Sequence, residues 1–336
     1  MTTVVIIGAS FAGLRAYTYL KKKADVKLIL IDKEPVATYI PSLHLALGNT
    51  RYLNEIQLNT KKHYPEFICD TVTQVGTHTV VTKSGTSYGF DYLIDATGAP
   101  TNFFGNESFQ KHALPAKTAS QVALVNKKLR DAKKITIVGG GLSGVEYAGI
   151  LATRYRKVIN LVTATPRLVP GLPEKASRLT EQFFKRKKVN VFLNARATQA
   201  TDESITFADG RTLQTDLILW CAGIKQESRI ISSELAAQPH IFLAGDVRKS
   251  TQIPTAHNAM LCGEAVAKCI VGKLKGENIP LNLHNWETLA LALGSSYGVL
   301  IIKNKFVMRN FLTGIMKWGI ERRVMIEWKR KLLLPI

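Results

Sequence analysis

The chain has 336 residues, of which 46% are hydrophobic and 8% aromatic. This composition excludes a disordered chain and a small disulfide-stapled domain, and the length predicts two domains or one large one. Basic residues exceed acidic ones by 45 − 25 = 20 charges, which favours anionic partners such as phosphorylated cofactors, acidic lipid headgroups or nucleic acid.

The N-terminal residues MTTVVIIGAS contain no basic segment ahead of the apolar run, so no secretory signal is predicted. No stretch reaches about 18 uncharged apolar residues, so we expect no membrane-spanning helix and an intracellular protein. The four cysteines are scattered, which argues against a disulfide framework and a metal site. Cys69 and Cys221 follow predicted strands and are interpreted as small buried apolar residues.

The first elements in chain order are a strand at Thr3–Ile7, a glycine turn, a helix to about residue 23 and a strand at 26–31. Both strands are apolar throughout, as buried parallel strands are. Short alternating runs between residues 66 and 97 predict a β-meander inserted into this α/β unit.

A second strand, glycine turn and helix start at 135–138, and short runs at 189–200, 204–207 and 212–219 repeat the first layout. The offset between the two turns is 139 − 8 = 131 residues, the size of a domain. The sequence therefore predicts an α/β fold with two Rossmann-like dinucleotide-binding domains that carry β-meander insertions. The strand at 241–245 and the helix at 255–271 are predicted to return to the first domain.

The glycine turns have the spacing that a bound dinucleotide requires. In the first turn Gly8 permits the tight bend, the small Ser10 lets a pyrophosphate approach, and Gly13 lets helix and strand pack closely. Asp32, at the end of the second strand, can accept hydrogen bonds from a ribose. One glycine turn alone is weak evidence for a bound dinucleotide.

The second turn is complete, with glycines at positions 139, 141 and 144 after a clear strand. Two such turns at domain spacing indicate two bound nucleotides and electron transfer between them.

Two short motifs complete the pattern: Ala96-Thr97-Gly98 and Gly245-Asp246 each follow a strand. In this order the motifs resemble those of the two-dinucleotide-binding flavoproteins. Within that superfamily the chain resembles type II NADH dehydrogenases and apoptosis-inducing-factor-like quinone reductases. The segments that carry this resemblance run from residue 4 to 270 and include VVIIGASFAGL (4–14), IVGGGLSGVEYAGIL (137–151), IFLAGDVR (241–248) and PTAHNAMLCGEAVAKCI (254–270).

The resemblance implies FAD and NAD(P)H as cofactors and assigns residues to each. The residues it implies at FAD are Gly8, Ser10, Gly13, Asp32, Pro41, Val72, Ala96, Thr97, Gly98, Gly245, Asp246 and Ala256. The residues it implies at the nicotinamide nucleotide are Gly139, Gly141, Gly144, Glu146, Thr163 and Gly223. It also implies that the helix opening near Thr255 points its N-terminus at the flavin, where the helix dipole favours negative charge.

The domains expected on this basis are an FAD-binding domain (1–113 and 239–295), an NAD(P)H-binding domain (114–238) and a C-terminal membrane-associating segment (296–336). The candidate catalytic residues are Glu146, which would orient the nicotinamide, and His257, which would protonate a reduced quinone. Glu146 also has a simpler interpretation, as a carboxylate favoured by the helix dipole, and so does His257, as a half-buried histidine.

The chain departs from the family at the second nucleotide. The expected carboxylate at the end of the second strand is replaced by Thr163, so nothing there repels the 2′-phosphate of NADPH, and Arg167 is close in sequence. NADPH is therefore expected to be tolerated. Cysteine pairs that disulfide reductases need near the flavin are missing from the sequence, and the role of Cys262 stays open.

The C-terminal residues 301–336 carry nine basic and two acidic side chains. An apolar stripe recurs every four residues and predicts a basic amphipathic helix from about Phe306; it comprises Leu312, Met316, Ile320, Val324 and Trp328, joined by Phe311, Ile315 and Met325. With Trp318 and Trp328 as interfacial anchors and a cluster at Lys329, Arg330 and Lys331, this helix is predicted to lie on an anionic membrane. The alternative is a helix docked on the flavin domain.

The sequence thus predicts an FAD-dependent oxidoreductase that passes a hydride from NAD(P)H to flavin and two electrons to a membrane quinone. It would be peripheral on the cytoplasmic side of the membrane. The alternatives are a soluble reductase of a small iron–sulfur carrier and a flavin-containing redox sensor that binds nucleic acid, the latter disfavoured because no binding motif accompanies the charge. A homodimer is left open.

Overall fold

The computed structural model describes residues 1–250, 253–283, 288–295, 297–303 and 305–329. Two five-stranded parallel sheets dominate them, accompanied by small antiparallel sheets, in the predicted two-domain α/β arrangement. One buried apolar cluster continues from the first sheet to the second.

The strands are β1 (Thr3–Ile7), β2 (Lys27–Asp32), β3 (Val36–Thr38), β4 (Gln57–Asn59), β5 (Phe67–Cys69), β6 (Val72–Val75), β7 (Thr79–Thr82), β8 (Ser87–Gly89), β9 (Tyr92–Asp95), β10 (Leu114–Pro115), β11 (Lys134–Val138), β12 (Val158–Val162), β13 (Asn190–Phe192), β14 (Ala197–Ala200), β15 (Ser204–Phe207), β16 (Thr212–Gln214), β17 (Leu217–Trp220), β18 (Ile241–Leu243), β19 (Leu289–Ala292), β20 (Gly298–Ile302) and β21 (Phe306–Asn310). The helices are α1 (Phe11–Lys23), α2 (Thr50–Glu55), α3 (Thr60–His63), α4 (Glu107–His112), α5 (Ala119–Leu129), α6 (Leu142–Arg154), α7 (Glu174–Arg186), α8 (Ser233–Ala236), α9 (Ala256–Leu274) and α10 (Phe311–Lys329). Two 3₁₀ turns cover Ile40–Ala46 and Gly245–Val247.

The first sheet has the strand order β18-β9-β1-β2-β5, and all of its pairs are parallel. Its central strands are buried on both faces, which is why they consist of Val, Leu and Ile. The late strand β18 joins this sheet, and α9 packs along α1. Residues before 96 and after 240 therefore build one layer together.

The second sheet repeats this plan with the order β10-β17-β11-β12-β13. The antiparallel sheet β14-β15-β16 occupies the same place in the chain, between the third strand and the return strand, as β6-β7-β8 does in the first half. The chain segments that connect the two halves also contact each other: Asn102 N–H donates to Gly223 O at 3.1 Å, and Lys225 N–H donates to Pro100 O at 2.9 Å.

The C-terminal segment differs from its prediction. It begins with the antiparallel sheet β19-β20-β21 and becomes helical only at α10, so the strand β21 occupies residues where the helix was expected to start. Because β19 pairs with β20, the expected boundary at residue 296 cuts through this sheet. Within the part of the chain that is described, no helix is both long enough and apolar enough to cross a bilayer.

The C-terminal sheet docks on α6 through a close backbone contact. A Cβ at Gly149 would lie 2.7 Å from the backbone nitrogen of Gly294, so only glycine admits this approach. The helix α10 packs in turn on β20 and β19. The segment therefore contacts the protein itself on the helix that follows the second glycine turn.

Candidate functional site

The first glycine turn is a tight backbone cradle. Gly8 has φ +106°, and a Cβ there would lie 2.3 Å from Ala96 O, so no other residue fits. The carboxylate of Asp32 accepts hydrogen bonds from the N–H groups of Ala9 at 2.6 Å and Glu34 at 3.0 Å. Asp32 thus holds the turn against the end of β2, at the position predicted for a ribose ligand.

Ser10 and Gly13 lie in the first turn of α1. Ser10 is the N-cap residue with an extended backbone, and its side chain makes no capping hydrogen bond. A Cβ at Gly13 would lie 1.9 Å from Gly8 O, which explains the need for glycine at this contact. Because the Ser10 side chain does not cap α1, it leaves the first N–H groups of this helix open to an anion.

The other residues predicted at the flavin come from separate loops. Pro41 lies in the first turn of the Ile40–Ala46 segment, and Val72 is buried at the start of β6. Thr97 N–H donates to Asp95 Oδ1 at 2.9 Å, whereas the buried Thr97 hydroxyl has no hydrogen-bond partner among the described residues. Gly98 has φ +70° and open space where a Cβ would be. An orphaned buried hydroxyl beside open space fits a ligand that supplies the missing partner.

The late Gly-Asp turn lies beside the start of α9. Gly245 has φ +77°, and burial raises the pKa of Asp246 although the nearby Lys117 ammonium opposes this shift. The N-cap residue of α9 is Thr255, whose hydroxyl accepts the Asn258 N–H at 3.1 Å. A cleft opens here, and Asp246, Asn258 and Cys262 are among the residues that line it.

Ala256 and His257 are the first two residues of α9. Burial lowers the pKa of His257, so its imidazole is neutral at pH 7. A neutral ring can donate or relay a proton only while its second nitrogen accepts one.

The second glycine turn repeats the first in detail. Gly139 has φ +123°, a Cβ there would lie 2.3 Å from Cys221 O, and a Cβ at Gly144 would lie 1.8 Å from Gly139 O. Gly141 is the N-cap of α6 and has open space around its Cα. Gly223, with φ +149°, follows the end of β17. The structure therefore provides two equivalent cradles.

The end of β12 carries hydroxyls where a carboxylate was expected. The hydroxyl oxygens of Thr163 and Thr165 are 2.8 Å apart, and Ala195 N–H donates to Thr163 O at 2.8 Å. Arg167, suggested by its sequence position for the 2′-phosphate, is bound elsewhere: its guanidinium donates to Leu172 O at 2.9 Å and to Ser177 Oγ at 2.6 Å. Its hydrogen bonds hold the 167–177 loop together instead.

Glu146 belongs to a largely buried polar cluster between three elements. Lys317 of α10 donates to its carboxylate, Ala292 N–H donates to Oε1 at 3.1 Å, and His44 Nδ1 lies 3.9 Å from Oε2. Burial is the largest single influence and would raise the pKa of Glu146, but the charge and hydrogen bond of Lys317, together with His44 and the Ala292 N–H, outweigh it and the pKa is lowered. Burial lowers the pKa of His44 to about 4, so this ring is neutral at pH 7. The cluster is therefore a carboxylate–ammonium pair beside a neutral imidazole.

Sequence reasoning missed three charged or titratable residues near the predicted nucleotide sites: His44, Lys117 and Lys317. His44 and Lys317 are 102 residues or more from Glu146 in sequence, and Lys117 comes near Asp246 only through the fold. Phe104 was also missed: it is 66% exposed at φ +53°, and its ring tip is 3.5 Å from where a Gly223 Cβ would be. No local motif marks any of these positions.

The exposed face of α10 is apolar and basic, and it includes Leu312 and Ile315 of the predicted stripe. Leu312, Ile315 and Ile326 are 63%, 45% and 39% exposed, and Arg322 and Arg323 are exposed on the same side. Thr313 is buried, and Met325 packs on the core. The side chains of the remaining predicted members (Phe311, Met316, Trp318, Ile320, Val324, Trp328, Lys329) and residues Arg330 and Lys331 lie outside the described part of the chain.

The cysteines are all free, and one prediction about them is wrong. Cys69 is exposed rather than buried because it ends β5, the edge strand of the first sheet. Cys221 is partly exposed at the end of β17, whereas Cys262 and Cys269 are buried in α9. Burial raises the pKa of Cys262, so its thiol is protonated at pH 7.

Comparison with known proteins agrees with this geometry. Residues 2–263 match the family model "Pyridine nucleotide-disulphide oxidoreductase". The chain is 25% identical to apoptosis-inducing factor homolog B of Dictyostelium discoideum, over 94% of this chain and 93% of that one. It is 26% identical to a type II NADH:quinone oxidoreductase of Staphylococcus aureus, over 90% of both chains.

Among solved structures, NDH2 from Plasmodium falciparum in complex with NADH has the same fold, with a TM-score of 0.83 and 15% identity over 98% of this chain and 96% of that one. The matched range spans both glycine turns, Glu146 and the Gly-Asp turn. The chain is therefore a member of the pyridine nucleotide-disulphide oxidoreductase family.

Proposed function

We propose that this chain is a peripheral membrane NAD(P)H:quinone oxidoreductase that binds FAD in its first half and NAD(P)H in its second. The observation that carries the proposal is the pair of matching glycine cradles at Gly8 and Gly139, on two sheets whose connecting segments contact each other. The proposed domain limits are those expected from the sequence, except that the C-terminal unit starts before β19 rather than at residue 296. Similarity to type II NADH:quinone oxidoreductases supports the choice of acceptor.

The residues in the first half fit FAD. The Gly8 cradle and the N-terminus of α1 suit a pyrophosphate, Asp32 suits a ribose, and the orphaned Thr97 hydroxyl needs a partner. Asp246 would hold the ribityl chain. When bound, FAD supplies the redox chemistry, accepting a hydride from NAD(P)H and passing two electrons to a quinone.

The protein's part in the reaction is alignment and charge. Gly139, Gly141 and Gly144 would hold the nicotinamide nucleotide, and Glu146 would orient its ring, with Lys317 keeping the carboxylate ionised and fixed. The N-terminus of α9, capped by Thr255, supplies a positive dipole end toward the flavin site. The neutral His257 would relay a proton to the reduced quinone.

The membrane contact is proposed at the exposed face of α10, on the cytoplasmic side. Leu312, Ile315 and Ile326 project apolar side chains beside Arg322 and Arg323, a combination that suits an anionic bilayer surface. A quinone dissolved in the bilayer must be reached at that surface. Leu312→Glu combined with Ile315→Glu should reduce co-sedimentation with anionic vesicles about tenfold or more.

The matched control for this experiment is Leu124→Glu, because Leu124 is also 46% exposed on a helix, α5, but lies outside the proposed face. Equal vesicle binding by both variants and the wild type would contradict membrane contact through α10. It would favour the interpretation that α10 serves only to dock the C-terminal segment.

The function itself is tested by anaerobic mixing of the purified protein with NADH or NADPH, followed by a short-chain quinone. We expect the flavin absorbance to bleach and the quinone to restore it over many turnovers. Bleaching that quinone does not reverse would exclude the quinone and favour an iron–sulfur carrier as the acceptor. The absence of bleaching with both nucleotides would refute the proposed donor.

A further inference from the structure

Lys117 lies where the predicted flavin and nicotinamide sites converge. Its ammonium donates a hydrogen bond to Ala99 O, directly after the Ala96-Thr97-Gly98 turn. The neighbouring Ala116 O accepts the hydroxyl of Tyr147 at 2.5 Å, and Tyr147 follows Glu146 in α6. Lys117 therefore connects the flavin turn to the helix of the second cradle.

The charges around Lys117 point in the same direction. Asp246 of the late Gly-Asp turn is close enough to raise its pKa, while Arg229 lowers it, and burial dominates so that the pKa of Lys117 is lowered overall. An ammonium has three N–H donors. Among the described residues Ala99 O is the only acceptor bonded to the ammonium, and no carboxylate is within ion-pair distance.

Lys117 is partly buried and uses one of its three N–H donors within the described residues, so the other two are free to reach a ligand. Three elements are linked to Lys117: the Ala96–Gly98 turn through Ala99, the Gly245-Asp246 turn through the charge of Asp246, and α6 through Ala116. In the proposed function the first two hold FAD and the third holds the nicotinamide. The ring system that would lie between them is the flavin isoalloxazine, which accepts hydrogen bonds and gains negative charge on reduction.

We propose that Lys117 contacts the bound flavin ring and stabilises its reduced, anionic state. This inference rests on the proposed function. Transfer of a hydride from NAD(P)H adds two electrons and one proton to neutral FAD, leaving NAD(P)⁺ and one negative charge on the flavin. The ammonium of Lys117 compensates for that charge, so the protein binds reduced flavin more tightly than oxidised flavin.

The test is the two-electron midpoint potential of the holoprotein, measured by reduction with a chemical reductant and a reference dye. Lys117→Met should weaken the preference for reduced flavin at least tenfold, which lowers the midpoint potential by about 30 mV for a two-electron couple. Lys117→Arg retains the charge and should restore most of the potential. Lys127→Met removes the same charge from the exposed face of α5 and should leave the potential unchanged.

A purely structural role for Lys117 gives a different result. If it only holds Ala99 in place, Lys117→Met lowers protein stability and FAD affinity but leaves the midpoint potential equal to that of Lys127→Met, which would overturn the inference. Lys117→Gln, whose amide can still donate to Ala99 O, provides a second neutral variant should Lys117→Met fail to fold, and the same tenfold loss is expected for it.

A second readout is the dissociation constant for sulfite, which adds to flavin as an anion. Both neutral variants should bind sulfite about tenfold more weakly than wild type, because they lack the compensating ammonium. Neither measurement uses NAD(P)H or quinone. If the Lys117 variants show these effects but the wild-type protein reduces no quinone, the proposed acceptor is overturned and this inference stands. If the wild-type protein binds no flavin, both are overturned.

Discussion

The two glycine turns have almost the same backbone but different surroundings. At Gly8 and at Gly139 a Cβ would lie 2.3 Å from a carbonyl oxygen of the neighbouring strand end, with φ values of +106° and +123°. Yet β2 ends in Asp32, which binds the turn, whereas β12 is followed by the hydroxyl of Thr163. In the proposed function the duplicated backbone would hold a pyrophosphate in each half, and discrimination at the ribose would depend on one side chain.

The position two residues after the last glycine of each turn shows a second difference. In the first half it is Arg15, paired with Glu264 of α9, and in the second it is Glu146, paired with Lys317 of α10. Each pair fastens a glycine-turn helix to a helix from much later in the chain, with the signs reversed. Glu264 also has Lys268 at 2.8 Å, whereas among the described residues Glu146 has a neutral histidine and a backbone N–H besides Lys317.

The largest expected effect comes from filling the cradles. Gly8→Ala should abolish FAD retention, and Gly139→Ala should keep FAD but slow its reduction by NAD(P)H at least a hundredfold, because the added Cβ meets backbone atoms. Flavin content and anaerobic reduction rates distinguish the two. Gly85→Ala and Gly210→Ala are matched controls, since both glycines have a positive φ but open space around them.

If the Gly139→Ala variant is reduced at the wild-type rate while the controls behave normally, the two cradles are not functionally equivalent. The similarity of their backbones would then reflect duplication without shared use.

Removing the cation of each ion pair, Glu146–Lys317 and Glu264–Arg15, should lower the free energy of unfolding by different amounts. Lys317→Met leaves the Glu146 carboxylate buried without a counterion and should lower the free energy of unfolding by about 3–5 kcal/mol. Arg15→Met should cost only about 1 kcal/mol, because Glu264 keeps Lys268. Chemical denaturation measures both, and adding Glu146→Gln to Lys317→Met should recover most of the loss. Equal costs for the two single variants would refute this contrast.

His44 makes the second pair sensitive to pH. Its pKa falls from 6.5 to about 4 in the folded protein, so the unfolded chain binds a proton between these values that the folded chain does not. This contribution is fully present above pH 6.5 and is lost as the pH falls toward 4, on the order of 3 kcal/mol in total.

Denaturation of wild type and His44→Gln at pH 7 and pH 5 measures this contribution. The variant should lose less stability between the two pH values than the wild type. Identical losses would show that His44 is protonated in the folded state or that other groups dominate.

Thr163 gives the sharpest comparison between the two halves of the chain. Thr163→Asp places a carboxylate where Asp32 stands in the first half and should lower kcat/KM for NADPH relative to NADH about a hundredfold, or about 2.7 kcal/mol. Thr201→Asp adds the same charge on the distant meander and should leave the ratio unchanged. A wild-type enzyme that already prefers NADH by a hundredfold would refute the tolerance of NADPH.

Local sequence predicted the features that depend on local physics. A positive φ beside a strand end requires glycine, and strands buried on both faces require continuous apolar runs, so the cradles at Gly8 and Gly139 and the sheet strands were foreseeable. The apolar stripe on α10 was less predictable from local sequence. A four-residue spacing drifts by about 40° at each step around a helix, so a stripe from Leu312 to Trp328 cannot stay on one face.

Only the tertiary structure decided which distant groups meet. Arg167 is near Thr163 in sequence but is used by its own loop, Cys69 is exposed because β5 forms a sheet edge, and Lys317 reaches Glu146 from 171 residues away. The charge state of Glu146, His44 and Asp246 follows from burial and from such neighbours, which no local pattern records. The sequence by itself therefore determined the two cradles, and tertiary packing, including that of the C-terminal segment onto α6, determined which charged groups lie beside them.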